Sequence, residues 1–107
     1  MLTEEFRRGD CHAGSYESSL VIAARPSLVR DDIRESLDKV PISIADQIRQ
    51  GARNFSEAGG VEAYFGDPAA ASREEGDASY EVLSDMIVTA VVEALTKPSA
   101  ASDKTQE

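Results

Sequence analysis

The residues able to do chemistry crowd into one short stretch, GDCHAGSYESS at positions 9–19, which holds the only histidine, the only cysteine and two carboxylates. His12 can take up and release a proton near neutral pH. Asp10, two residues before it, is of a type that orients an imidazole and supports its charged form. A plainer reading stands beside this one: His12 hydrogen-bonds in a turn before a helix, and Glu17 is a first-turn acid favoured by the helix dipole. On residue types alone the plainer reading weighs more. Cys11 next to His12 raises a cysteine nucleophile, but sequence neighbours point in different directions, and nucleophile and base normally meet through the fold. Asp10, His12 and Glu17 are zinc ligands by type, yet one histidine with two acids at irregular spacing matches no established pattern. Glu74 and Glu75 read most simply as helix N-terminal charge, and Asp67 as a turn or cap residue.

The elements that must hold this stretch are mostly helical. From Gly14 to Ala24, Tyr16, Leu20 and Ala23/Ala24 recur at helical spacing and Pro26 supplies the stop, which predicts a short buried helix. Pro26 can then open a second short segment, followed by a surface helix near 31 to 39. Ser43 as N-cap, the Ile44/Ile48 pair and Gly51 just beyond predict a brief helix. Residues 51 to 60 have turn chemistry at both ends and read as a surface loop. Val61 to Phe65 is the best strand candidate, β-branched and aromatic between two glycines. Ser72 and Glu75 form a capping-box pattern for a long helix carrying Leu83, Met86, Ile87, Ala90, Val91, Ala94 and Leu95 as an apolar stripe, stopped by Pro98. Residues 98–107 read as a disordered tail. A lone strand leaves its ladder groups unpaired. Either the chain is a small helical domain or its sheet comes from residues outside this sequence.

The bulk composition narrows the function classes. A chain of 107 residues, 41% apolar and 29% charged, has the size and balance of one soluble domain. Eleven basic against twenty acidic side chains give a net charge of −9, which opposes binding to nucleic acid or to anionic membrane surfaces. One cysteine makes no intrachain disulfide, and a reducing cytoplasm is the simplest compartment. The first residues lack a signal-peptide core, and no apolar run reaches membrane-spanning length.

Asp10-Cys11-His12-Ala13-Gly14-Ser15-Tyr16-Glu17-Ser18-Ser19 resembles the D-x-H-A-G-x-x-E-T-S signature of the creatininase (creatinine amidohydrolase) family, with Ser18 where threonine is usual. Gly66-Asp67-Pro68, Ala71-Ser72, Glu74 and Gly76 are similar to the family's G-D-P-x-x-A-T-x-E-x-G stretch, again with serine for threonine. The resemblance runs over roughly residues 3 to 97, the middle by pattern more than identity.

That resemblance implies an α/β fold, the C-terminal portion of a three-layer α/β/α arrangement, with this chain mostly helical and carrying one or two short strands. The creatininase-like domain would span residues 1–97. It also implies hexamers and two divalent metals, zinc or manganese, that activate a water against a small, linear or cyclic amide. His12 would then protonate the leaving nitrogen, Glu17 would scaffold the site, and Asp10 would orient the histidine. The family's metal ligands, an early E-x-H motif, a following aspartate and a mid-chain histidine-acid pair, fall upstream of the matched stretch and have no counterpart here. The expectation is therefore a fragment, a truncated reading frame or one half of a split enzyme, binding no metal by itself and inactive without a companion N-terminal chain. The alternative is a small acidic interaction module, alone or as a homo-oligomer, in which the 83–95 stripe docks on a partner helix.

Overall fold

The computed structural model of the chain describes residues 1–8 and 12–97; the predicted tail, Pro98, Asp10 and Cys11 lie outside them. The described elements are α1 (Glu4–Arg8), α2 (Ser15–Ala24), a 3₁₀ turn (Pro26–Leu28), α3 (Asp31–Arg34), α4 (Ile44–Arg49), α5 (Phe55–Ala58), a second 3₁₀ turn (Pro68–Ala70) and α6 (Arg73–Thr96). The chain is mostly helical, in agreement with the sequence pattern.

Proline sets the end of α2. Arg25 precedes Pro26 and leaves helical geometry, with φ −153° and ψ 82°, because the proline ring excludes the α region for the residue before it. Pro26 then begins the 3₁₀ turn in a first-turn position, where its missing N–H costs nothing. The helix expected over 31 to 39 closes after one turn. Ser36 Oγ donates to the Ile33 carbonyl at 2.6 Å and the Ser36 and Leu37 amides make tight i−3 bonds, so local side-chain bonding replaces α continuation. Arg34, its side chain 12% exposed, turns inward and donates to the carbonyls of Pro68 and Ala69 at 3.0 and 3.1 Å. It thereby ties α3 to the second 3₁₀ turn.

In α4, Ser43 caps as expected, accepting from the Asp46 amide, and Gly51 follows the helix at φ 105°. The predicted 51–60 loop is corrected: it contains the single-turn α5. Asn54 accepts from the Glu57 amide at 2.8 Å, and Gly59 at φ 101° closes the turn with the left-handed geometry an L-residue resists.

The predicted strand at Val61–Phe65 does not form. Ala63 sits at φ 65°, which breaks an extended run, and the Phe65 amide donates to the His12 carbonyl at 2.8 Å instead of to a neighbouring strand. What remains of sheet pairing among the described residues is one antiparallel bridge, Val40 with Gly66, closed by reciprocal bonds of 2.8 and 2.7 Å.

The core is small: Tyr16, Ala58, Tyr64, Phe65 and Ala71 are its buried hydrophobics, with Pro68 and Ser19 fully buried beside them. It is centred where α2 crosses the start of α6. At the crossing the backbones touch, because a Cβ on Gly76 would lie 2.0 Å from the Ser19 carbonyl oxygen. Tyr80 adds a hydroxyl bond to the Leu20 carbonyl at 3.0 Å. Beyond Leu83, α6 leaves this core and its apolar residues face water.

Candidate functional site

The turn carrying His12 is forced by what surrounds it. Ala13 takes φ 54°, an uncommon conformation for a residue with a side chain, and such strain persists only where neighbours over-determine it. Glu17, in the first turn of α2, reaches back with Oε1 to accept the Ala13 amide at 2.6 Å. Ser18 Oγ donates to the Ala13 carbonyl at 3.4 Å. Across from them, the Phe65 amide holds the His12 carbonyl.

His12 is half-buried, with its ring 4.5 Å from that of Phe55 at a tilt of 39°; Phe55 in turn meets Phe65 edge-on at 5.6 Å. The imidazole therefore rests on an aromatic step. Of the three predicted site residues, His12 and Glu17 meet through the turn's backbone, since the Glu17 carboxylate spends one oxygen on Ala13. Asp10 lies outside the described residues.

On the Glu17 side of the turn opens a cleft of about 500 Å³, walled by Ala13, Glu17, Val21, Ile33, Leu37 and Tyr64; His12 does not line it. Its floor is apolar, and one oxygen of the exposed Glu17 is left to meet a polar group there. Tyr64 donates its hydroxyl to the Asp38 carbonyl at 2.6 Å. Burial, followed by the Asp38 and Glu62 carboxylates, raises the phenol above its ordinary pKa of 10.0, so it is a neutral donor at physiological pH.

The second motif stretch lies against the first. Gly66 at φ 85° makes the turn, Pro68 is buried, and the Asp67 amide is spent on a carboxylate from α1, that of Glu5, at 3.0 Å. Ser72 caps α6 by accepting from the Glu75 amide at 3.1 Å, as the pattern predicts. The return half of the capping box is different. The Ser72 amide donates to Ser19 Oγ at 3.0 Å, and the Ser19 hydroxyl donates to Glu75 Oε2 at 2.6 Å. A serine from the histidine-bearing motif is thus inserted into the cap of the other. Glu74, the acid of the G-D-P pattern, is exposed.

Sequence reasoning missed Glu5 and Phe55. No local signal identifies either: Glu5 sits beside Glu4 in a first turn where both acids look alike, and Phe55 meets His12 only through the fold.

Among the described residues no group of three His, Cys, Asp or Glu side chains could hold a metal ion, and the whole sequence contributes one histidine. The side chains that are placed do not fit a two-metal centre. No described helix is long and apolar enough to cross a membrane.

No curated protein and no solved structure matches the chain. Residues 1–91 match the family model Creatininase, described as creatinine amidohydrolase. The match takes in both motif stretches, joined through Glu5, Ser19 and Phe65, and extends over most of the 107 residues, so this chain belongs to the creatininase family, whose members are of amidohydrolase type.

Proposed function

We propose that residues 1–97 form a creatininase-like domain supplying the proton-transfer side of a site that hydrolyses a small amide, linear or cyclic. The observation that supports this reading is the held turn, in which a half-buried imidazole is fixed by its backbone and its ring while the Ala13 and Glu17 that follow it line an open cleft. In this reading His12 is the catalytic residue and gives its proton to the leaving nitrogen as the carbon–nitrogen bond breaks. Glu17 keeps the strained Ala13 in place and presents its second oxygen to the cleft. Asp10 is the orienting acid.

The family generally binds divalent metal. The placed side chains of this chain do not fit such a centre. Zinc or manganese, with the remaining donors and the sheet of a three-layer α/β/α arrangement, would come with a companion N-terminal chain, and the chain by itself would be inactive. The test is to assay the purified chain with added zinc or manganese against creatinine and other small amides. No turnover is expected; turnover that His12→Ala abolishes would refute the inactivity. In a complemented, active preparation His12→Ala is expected to lower kcat by about 10²–10⁴-fold, the usual range for a lost proton donor. Undiminished kcat would sink the assignment of His12.

A second reading, a small acidic interaction module without catalysis, is favoured by one observation: the apolar half of α6 is left uncovered. Circular dichroism during a thermal melt separates the two. A module complete in itself melts cooperatively, whereas a domain lacking its sheet melts broadly or aggregates.

A further inference from the structure

We infer that Glu5 is the positioning residue of the His12 turn. Glu5 is 6% exposed, and acids are seldom so buried unless fully bonded. Oε2 accepts from the Ser15 amide at 2.9 Å, the Ser15 hydroxyl at 3.1 Å and the Asp67 amide at 3.0 Å; Oε1 accepts from the Tyr16 amide at 2.9 Å. The first amides of α2 need acceptors, and the residue at the cap position is Gly14, which has no side chain to offer. Glu5 supplies the cap from another helix, its negative charge at the positive end of α2.

The approach is so close that a Cβ on Gly14 would lie 2.5 Å from Glu5 Oε1 and 2.4 Å from the Phe65 carbonyl oxygen. Glycine at this position is therefore what lets the acid reach the helix. One carboxylate binds the histidine-bearing motif through Ser15 and Tyr16 and the G-D-P motif through Asp67. Those two segments are also the ones joined by the Phe65-to-His12 bond. Two acids thus bracket the strained Ala13: Glu17 on its own amide, Glu5 on the amides two and three residues on. With Glu5 gone, the α2 start and the Asp67 turn can separate, and the His12 ring loses the geometry that rests it on Phe55.

For its functional weight this inference rests on the reading of His12 as the proton donor, but it is tested without activity. The chain has one histidine, so isotope labelling gives a single imidazole signal. In the native chain the His12 ring protons are expected to be displaced by the Phe55 ring current. Glu5→Gln replaces one acceptor oxygen by a donor facing an N–H. It should abolish most of that displacement and raise the rate of His12 carbethoxylation severalfold while circular dichroism stays native; Glu5→Asp should restore part of both. A folded Glu5→Gln chain with an unchanged His12 signal overturns the proposal. If Glu5→Gln does not fold, Ser15→Ala, which removes one of the four bonds, decides. A smaller shift in the same direction supports the role, and none overturns it. Failure of the hydrolytic reading would leave these signals untouched.

Discussion

Tyr64 and Glu5 are both buried acids with bonded oxygens. The Tyr64 phenol titrates above its ordinary value, raised first by burial and then by Asp38 and Glu62. A phenol that holds its proton more tightly folded than unfolded stabilises the fold fully below the unfolded value near 10.0; that stability is lost as pH rises through the folded value. Stability should therefore fall above about pH 10, and Tyr64→Phe should flatten that decline while losing the 2.6 Å bond to Asp38. Chemical denaturation at pH 8 and pH 11 checks it: an equal alkaline loss in both proteins rules out Tyr64 as the cause. At this scale the sequence marked His12 and Glu17 because their motif is contiguous. It could not mark Glu5, since which of the adjacent Glu4 and Glu5 turns inward is decided by the α2 amides and Asp67, far away in the chain. Nor could spacing reveal that the His12 ring would meet Phe55.

Among the elements, those fixed by punctuation were readable and those fixed by tertiary contact were not. Pro26 ending α2, Ser43 opening α4 and Ser72 opening α6 are local decisions, and each stands where the pattern puts it. The strand at 61–65 failed because composition cannot register Ala63 at positive φ or the diversion of the Phe65 amide to His12. The α5 turn was readable in principle from Asn54 and Glu57, a cap spacing concealed within a glycine-bounded segment. The crossing of α2 and α6 gives the sharpest prediction here. Exchanging a helical glycine for alanine ordinarily stabilises by about 1 kcal/mol. At Gly76 the new methyl would meet the Ser19 carbonyl oxygen at 2.0 Å, a backbone atom that cannot swing away. Overpacking of this kind costs about 1–3 kcal/mol. The clash should win, so Gly76→Ala is expected to lower stability by up to roughly 2 kcal/mol, the difference of those two terms. Ser72→Ala should cost about 1 kcal/mol through the lost cap. Urea unfolding of both checks this, and a stabilised Gly76→Ala would mean that the helices do not cross at contact distance.

The molecule as a whole is long for its length of chain: its radius of gyration is 18.1 Å, against about 13 Å for a compact domain of 100 residues. The second half of α6 is where the compact packing ends. Ile87 is 65% exposed and Leu95 79%, with Met86, Val88, Val91 and Val92 all above half. A helix apolar around most of its circumference is one that proteins normally bury, and neighbouring exposed apolar turns of this extent mark a surface for association. Leu83, Ile87, Val91 and Leu95 lie at i, i+4 steps along one side, while Glu81, Asp85 and Glu93 fall outside that line. Charge therefore does not guard it. The chain should associate through this side as its concentration rises, and the double substitution Ile87→Lys, Val91→Lys should abolish that association. Lysine is a good helix former and both positions are exposed, so the stability of the folded unit should change by no more than about 0.5 kcal/mol per site. Sedimentation velocity across a concentration series reads the association, and chemical denaturation reads the stability. A wild-type chain that stays monomeric throughout, or a lysine variant that associates as strongly as wild type, would show that the uncovered half of α6 is not the surface that brings chains together.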